Sequence, residues 1–242
     1  MNSLDVFLFI ALPYVAIALF VVGAIYRYRA RSFTYSSLSS QFLEGARIYI
    51  FAVLFHWGIL MVFLAHLIAF LFPATITAWY SNPMRLIASE VIMVAFGFGV
   101  LIGMAALLIR RIANPRIRLV SSRMDIVIEL VLLVQIALGL YTALGYRWGY
   151  YWFASNLSPY LWSIVKLNPK IDAVAALPWM IKAHLVGAFL ILGLTPFSRL
   201  AHFLVAPIHY LWRPYQRVIW SWNHTRVRDP MSGWSETAPK NN

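Results

Sequence analysis

The stretch LFHWGILMVFLAHL, residues 54–67, carries two histidines ten residues apart in an otherwise apolar run. It contains no Asp, Glu, Lys or Arg, and it is therefore apolar enough for the interior of a bilayer. Ionisable side chains in such segments are rare, and those that occur usually face the interior of a helix bundle. His56 and His66 therefore indicate a site inside a membrane bundle.

The composition of the whole chain is that of an integral membrane protein. Of its 242 residues, 62% are hydrophobic and 12% are charged, with a mean hydropathy of +0.73, whereas a soluble domain has about 25% charged residues. The net charge of +12 could indicate nucleic acid, but the cations cluster between apolar segments as topology determinants do, so no nucleic-acid partner is expected. The lack of cysteine excludes disulfides, thiolate-bound clusters and covalent haem attachment in this chain.

Five apolar segments are long enough to cross a bilayer, which takes about 20 helical residues. We therefore predict an all-α membrane protein, in which residues 1–221 form one bundle of five transmembrane helices and residues 222–242 form a polar tail. Pro13 and Pro196 interrupt the first and last segments, which a bundle tolerates by local rearrangement. The predicted spans are Val6–Tyr26, Ile48–Phe72, Leu86–Ile109, Ile126–Leu144 and Leu177–Val205.

Arginine clusters determine the predicted orientation. The connections after spans 1, 3 and 5 carry most of the cations. The positive-inside rule then places the N-terminus outside and the C-terminus in the cytoplasm of a multi-pass protein in the cytoplasmic (inner) membrane, in contact with lipid. The connection at 145–177 is rich in Trp and Tyr, and we expect it at headgroup depth. The clusters are Arg27, Arg29, Arg31 and Arg47; Arg110, Arg111, Arg116, Arg118 and Arg123; and Arg213, Arg217, Arg226, Arg228 and Lys240.

Four histidines fall in the predicted spans, two in span 2 and two in span 5. Because these spans run in opposite directions, His56 and His202 lie at the inner depth, and His66 and His184 lie at the outer depth. One histidine from each side at two depths is the arrangement that bis-imidazole ligation of two noncovalent b haems requires. The separations of about 15 Å and about 27 Å along the two helices match only if tilt and a bend at the span 5 proline absorb the difference. Packing histidines and a proton path remain alternatives.

Several stretches together resemble the haem b (gamma) subunit of membrane-bound respiratory nitrate reductase, over about residues 5–220. The resemblance implies that His66 and His184 hold an outer, distal haem, and that His56 and His202 hold an inner, proximal haem. The stretches that carry it are LFHWGIL (54–60), AHL (65–67), RRIANPRIR (110–118), DIVIELVLLVQIALGL (125–140), TPFSRLAHF (195–203), YLWRPYQ (210–216) and SSQ (39–41).

The resemblance also implies an activity and partners. Menaquinol or ubiquinol would be oxidised on the outer side near His66 and Arg85, and electrons would cross through the two haems. They would leave to a cytoplasmic iron–sulfur (beta) subunit, with a molybdenum catalytic (alpha) subunit that reduces nitrate beyond it. The chain departs from the family at two positions: Arg85 replaces a Lys, and Ala65 replaces a Gly. Both departures bear on which quinone binds and how tightly.

The remaining charged residues and one glycine-rich run admit simpler interpretations. Arg111 and Arg199 are predicted to pair with haem propionates, because the guanidinium fork suits carboxylates; for Arg111 a plain topology charge is the alternative. Glu90 could accept a quinol proton, but we favour a carboxylate paired with Arg85 or a neighbour. GFGVLIG (97–103) indicates close helix packing. Two acids at the start of span 4 complement the helix dipole, namely Asp125 and Glu129.

Two other functions stay open at this point. A related dihaem anchor of another redox complex, such as one with a sulfite-reductase-linked or heterodisulfide-reductase-type partner, would share the haems but not the electron acceptor. A haem-free transporter would use the histidines as a proton relay and show little Soret absorbance. The sequence has neither the inverted repeat nor the paired broken helices that such transporters often carry.

Overall fold

The computed structural model describes residues 3–35 and 49–205, which are almost entirely helical and contain no β-strand. Five helices in these ranges are long and apolar enough to cross a membrane, which confirms the predicted fold. The predicted tail at 222–242 and the last residues of the predicted bundle lie outside the described residues. The spans are Ser3–Ala30 (span 1), Tyr49–Leu71 (span 2), Pro83–Ala113 (span 3), Arg123–Gly145 (span 4) and Trp179–Phe197 (span 5).

Short helices fill the connections at both ends of the bundle. Following the predicted orientation, we call the end formed by residues 72–82 and 146–178 the outer end, and the end formed by 31–35, 114–122 and 198–205 the inner end. The starts of spans 1 and 5 meet at the outer end, where Lys182 Nζ lies 3.4 Å from Asp5 Oδ1. The short helices are Ser32–Thr34, Pro73–Trp79, Pro115–Leu119, Gly149–Trp152, Phe153–Leu157, Ser158–Val165, Asp172–Ala175 and Arg199–Val205.

The five spans pack side by side in the order 2, 3, 4, 5, 1. The run GFGVLIG mediates close packing of span 3, as predicted: a Cβ on Gly103 would lie 2.7 Å from the carbonyl oxygen of Phe51, and one on Gly97 would lie 2.8 Å from Leu140 Cδ2. Spans 2 and 5, which carry the histidines, share no extensive interface within residues 49–205. The fold therefore leaves these two helices to be joined by something other than their own packing.

Span 1 adapts to Pro13 in two ways. Because proline has no N–H, the carbonyl of Phe9 loses its usual helical donor. The helix widens into a π-helical segment at Phe7–Ala11, and the hydroxyl of Tyr160 donates a 2.8 Å hydrogen bond to the Phe9 carbonyl. Tyr160 is only 1% exposed. The predicted local rearrangement at this proline is confirmed, and it depends on a residue of the outer end.

The outer segment, residues 149–165, caps span 2. Ser158 Oγ donates to the carbonyl of Ala69 at 3.0 Å, and Trp162 Nε1 donates to the carbonyl of Phe70 at 2.8 Å. The rings of Phe70 and Trp162 stack with their centroids 5.0 Å apart. The last carbonyls of a helix need such partners where water is scarce. The aromatic connection predicted at headgroup depth therefore closes the end of the helix that carries His66.

Span 5 ends earlier than the predicted boundary at Val205. Its α-helix stops at Leu194 and tightens into a 3₁₀ turn at Thr195–Phe197, because Pro196 cannot continue the ladder. Ser198 is fully extended, with φ −121° and ψ 177°. A separate 3₁₀ helix, Arg199–Val205, then begins. His202 therefore lies on a different element from His184, which corrects the assumption of one bent helix.

Candidate functional site

The four histidines of the predicted spans 2 and 5 share one hydrogen-bonding pattern. In each ring Nδ1 lies against a backbone carbonyl oxygen, at 2.7 Å for His56 (Ala52), 2.8 Å for His66 (Val62), 3.1 Å for His184 (Gln135) and 2.6 Å for His202 (Arg199). A carbonyl oxygen only accepts, so Nδ1 carries the proton of the neutral ring and Nε2 carries the lone pair. Metal-bound histidines are oriented in this way by a backbone carbonyl on the other ring nitrogen. All four rings are therefore in the tautomer that ligation through Nε2 needs.

The structure brings the two outer histidines together. His66 and His184 lie within electrostatic range of each other, although their helices share no extensive interface. The ring of His66 meets that of Phe153 edge-on, with centroids 5.2 Å apart. The outer segment thus covers one side of His66. This placement matches the predicted outer pair, whereas the role of the pair as haem ligands stays a prediction.

Span 4 shapes the space around His184. A Cβ on Gly139 would lie 2.9 Å from Cε1 of the His184 ring, so this position has room only for glycine while the ring keeps its place. On the same face of span 4, Gln135 Oε1 and Thr142 Oγ1 are buried without a hydrogen-bond partner among the described residues. Buried polar atoms normally have partners. A glycine against the His184 ring, unsatisfied polar atoms nearby and neutral imidazoles whose lone pair is on Nε2 fit a b-type haem.

The inner histidines are less closely connected. His56 is exposed on span 2 and contacts the ring of Phe55 beside it, at 5.1 Å between centroids. His202 is half-buried on the 3₁₀ helix at the inner end. In the part of the chain that the structure describes, no direct contact links His56 to the other three histidines. The pairing of His56 with His202 stays a prediction.

A charge network at the inner end joins span 3, span 4 and the 3₁₀ helix Arg199–Val205. Arg111 forms a forked pair with Glu129, with Nε–Oε1 2.8 Å and NH2–Oε1 2.7 Å. Arg199 NH2 lies 2.7 Å from Asp125 Oδ2, and Arg111 NH1 lies 3.7 Å from the same oxygen. Asp125 is 3% exposed and also completes a capping box with Ser122. The two arginines predicted to bind propionates are thus tied to the two acids, and the propionate role stays a prediction.

At the outer end, Arg85 and Glu90 have different partners from those predicted. The guanidinium of Arg85 stacks over the ring of Trp79, 4.3 Å from its centroid. Glu90 Oε1 instead accepts a 2.9 Å hydrogen bond from the backbone N–H of Gly149. The partner of Glu90 is therefore a backbone N–H of the outer segment and not the Arg85 guanidinium. Sequence reasoning missed Trp79 and Gly149, because neither contact follows from helical spacing.

Residues 5–221 match the family described as nitrate reductase gamma subunit. The chain belongs to this family. The match includes all four histidines of the predicted spans 2 and 5 and reaches every span of the bundle. The expected resemblance is thereby confirmed, and so is its extent along the chain.

Relatives with gamma-chain names align over nearly their whole length. The respiratory nitrate reductase 2 gamma chain of Escherichia coli is 34% identical over 222 residues, which cover 89% of this chain and 96% of the relative. The respiratory nitrate reductase 1 gamma chain of the same species is 32% identical, with 90% and 98% covered. The nitrate reductase gamma chain of Bacillus subtilis is 30% identical, with 84% and 93% covered.

Membership in the gamma subunit family and the five spans together identify a transmembrane oxidoreductase subunit that serves electron transport in nitrate respiration. The gamma-chain names also imply a complex with other nitrate reductase subunits. The chain is therefore a multi-pass membrane protein and one component of a larger assembly.

Proposed function

We propose that this chain is the membrane-anchoring, dihaem cytochrome b subunit of a nitrate reductase complex. It oxidises quinol at the outer side of the inner membrane and delivers electrons to an iron–sulfur (beta) subunit on the cytoplasmic face. A molybdenum-containing (alpha) subunit then reduces nitrate. The observation that carries the proposal is the common geometry of four histidines, two on span 2, one on span 5 and one on the 3₁₀ helix after it, each with Nδ1 against a carbonyl oxygen.

The chain's own residues hold and orient the cofactors. His66 and His184 would hold the outer haem, and His56 and His202 would hold the inner haem, each through Nε2. When bound, the two b haems supply one-electron carriers across the bilayer. Because Gly139 has no Cβ, span 4 leaves room for the His184 ring on that side. Phe153 of the outer segment packs edge-on against the ring of His66 and covers one side of it.

Quinol binding is assigned to the outer end. Arg85 is exposed there, and the ring of Trp79 fixes the plane of its guanidinium. It donates hydrogen bonds to a quinol oxygen, and His66 lies on the neighbouring helix, span 2. Quinol loses two electrons and two protons as it becomes quinone. The protons leave on the outer side and the electrons on the inner side, so each turnover separates charge across the membrane.

At the inner end, Arg111 and Arg199 would balance the propionates of the inner haem. Both already face Asp125 and Glu129, so the local charge is close to neutral before any propionate arrives. A propionate would then share the arginine donors with these acids rather than meet an unpaired cation. The basic inner end also faces the side where the iron–sulfur subunit would dock.

Absorbance spectra of the purified, detergent-solubilised chain test the proposal. The oxidised and dithionite-reduced spectra should show about two b-type haems per chain, reduced by a quinol analogue and reoxidised by a quinone analogue. His66→Ala and His202→Ala should each lose one haem. His224→Ala, in the predicted tail, is the matched control and should keep both. A well-expressed chain without haem would refute the proposal and favour the proton-relay transporter.

The electron acceptor needs a second experiment. Membranes that contain the chain together with its iron–sulfur and molybdenum subunits should couple quinol oxidation to nitrate reduction, and His202→Ala should abolish this coupling. Sulfite or a heterodisulfide reduced in place of nitrate would instead indicate the related dihaem anchor.

A further inference from the structure

Arg27 connects span 1 to the break in span 5. Its NH1 donates hydrogen bonds to the carbonyl oxygens of Pro196 and Ser198, both at 2.7 Å. The first carbonyl belongs to the last 3₁₀ turn of span 5, and the second belongs to Ser198, the extended residue at which the helix ladder stops. Polar backbone groups that lose their helical partners near a bilayer need others. One guanidinium nitrogen therefore stabilises both sides of the break.

The guanidinium is itself held in place. Nε donates to Thr34 Oγ1 at 3.0 Å and NH2 donates to the Thr34 carbonyl at 2.7 Å, while the group lies over the ring of Tyr35, 5.1 Å from the centroid. One turn earlier, a Cβ on Gly23 would lie 2.8 Å from Pro196 Cβ, so span 1 approaches the break closely. All three guanidinium nitrogens are used in a fixed geometry. An arginine that only determined topology would need none of these contacts. Arg29, two residues later on the same helix, is exposed and serves as the comparison.

The segment fixed by Arg27 leads directly to His202. The 3₁₀ helix Arg199–Val205 starts one residue after Ser198, and the Arg199 carbonyl accepts from His202 Nδ1 at 2.6 Å. From the other side, Arg199 pairs with Asp125 at 2.7 Å. The first turn of this helix is therefore held by span 1 and by span 4. A shift of the Ser198 carbonyl would rotate the imidazole of His202.

We propose that Arg27 is a positioning residue for the inner haem, acting on the orientation of the His202 ring. The proposal rests on the proposed function, since it needs His202 to be a haem ligand. Arg27 touches neither the cofactor nor the substrate. Its effect is transmitted through two backbone carbonyls and the short helix that follows them.

The test compares Arg27→Gln, Arg27→Lys and the control Arg29→Gln in the full-length, haem-loaded chain. Haem content, redox titration and the EPR signal of each ferric haem are the readouts, because that signal depends on the angle between the two imidazole planes. His66→Ala and His202→Ala variants assign the signals to the outer and inner haem. Thr34→Val, which removes the Nε partner together with the hydrogen bond from Thr34 Oγ1 to the Arg31 carbonyl, provides a milder variant should Arg27→Gln fail to accumulate.

The inner haem of Arg27→Gln should bind about 10-fold more weakly, as for other changes to groups that orient a ligand, with a changed EPR signal and potential. The outer haem should be unchanged, Arg27→Lys and Thr34→Val should lie between Arg27→Gln and wild type, and Arg29→Gln should match wild type. Unchanged inner-haem signals in Arg27→Gln and Thr34→Val, or equal changes in both haems, would overturn the inference alone. A haem-free wild-type chain would overturn the proposed function and the inference with it.

Discussion

Gln135 and His184 are joined by two hydrogen bonds that run in opposite directions between spans 4 and 5. Gln135 Nε2 donates to the His184 carbonyl at 2.9 Å, and His184 Nδ1 donates to the Gln135 carbonyl at 3.1 Å. The side chain of Gln135 fits because Gly187 opposite has no Cβ, which would collide with Oε1. Since the ring is held by a backbone carbonyl, its tautomer does not depend on which side chain stands at position 135. Changes that displace the ring itself are therefore more informative.

Gly139→Ala is the change that displaces the His184 ring. The new methyl group would lie 2.9 Å from Cε1 and force the ring to move. We expect the outer haem to bind about 10-fold more weakly and the inner haem to be retained, as measured by haem content and redox titration. Gly99→Ala is the control, because its Cβ would meet Leu54 at an ordinary 3.8 Å. Full occupancy of both haems in Gly139→Ala would argue against His184 as a ligand.

Asp125→Asn tests the inner charge network. The change removes the carboxylate that Arg199 and Arg111 share and leaves their charges poorly compensated. We expect a loss of about 3 kcal/mol in the free energy of unfolding, at the low end for a broken buried pair, because the arginine side chains keep 22% and 18% exposure. Denaturant titration in mixed micelles measures it. Asp172→Asn, at an exposed helix start, should change stability little; equal effects of the two variants would contradict the network's role.

Tyr160→Phe tests the hydrogen bond that compensates for Pro13 in span 1. The variant keeps the ring but leaves the Phe9 carbonyl without its hydroxyl donor. An unsatisfied buried acceptor costs about 1–3 kcal/mol, which we expect as a lower free energy of unfolding. Tyr151→Phe removes a hydroxyl from an exposed ring and serves as the control. Identical unfolding of Tyr160→Phe and wild type would show that Phe9 finds another donor.

The same tyrosine predicts a dependence of stability on alkaline pH. Burial raises the pKa of Tyr160, with a smaller contribution from nearby Tyr14. The unfolded chain therefore loses this proton from about pH 10 upward, while the folded chain retains it. Stability from Tyr160 is fully present below about pH 10 and is lost as pH rises through the folded pKa. The free energy of unfolding, measured from about pH 9 to about pH 11, one unit on either side of the free value, should decline more steeply in wild type than in Tyr160→Phe. Parallel declines would contradict this.

Arg85→Gln tests the quinol site. Loss of a charged donor should raise the KM for a quinol analogue about 10-fold, since such hydrogen bonds contribute about 1.5–3 kcal/mol. Both haem spectra should stay unchanged. Arg85→Lys should be intermediate, because lysine keeps the charge but not the planar fork that stacks on Trp79. Arg116→Gln, exposed at the inner end, is the charge-matched control. Unaltered quinol kinetics in Arg85→Gln would place the quinol elsewhere.

The sequence predicts the spans well because length and hydrophobicity determine them, and it predicts their ends less well. Span 3 extends from Pro83 to Ala113 rather than from Leu86 to Ile109. Asn82 caps its start, because the side-chain Oδ1 accepts a hydrogen bond from the backbone N–H of Met84. At the other end the helix continues past the apolar window through Arg110 and Arg111. Helix ends follow capping and charged surfaces, which a hydrophobicity window does not detect.

The sequence indicates which histidines form the candidate site, but not which residues hold them in place. The histidines stand out because an imidazole is unusual among apolar residues. The contact of Arg27 with Ser198 spans 171 residues, and that of Tyr160 with Phe9 spans 151. No local pattern encodes contacts between elements so far apart in the chain. The tautomer of each histidine likewise depends on the position of a backbone carbonyl, which the amino-acid sequence does not show directly.

The bond between Tyr160 and Phe9 also has a consequence for biosynthesis. Phe9 enters the membrane with the first span, but its hydroxyl donor is made 151 residues later. At ribosomal rates of about 5–20 residues per second, the interval is roughly 8–30 s. Throughout that time the Phe9 carbonyl beside Pro13 lacks its tyrosine donor, and the first helix can still change its shape there. The helix that is made first is therefore among the last to reach its final form.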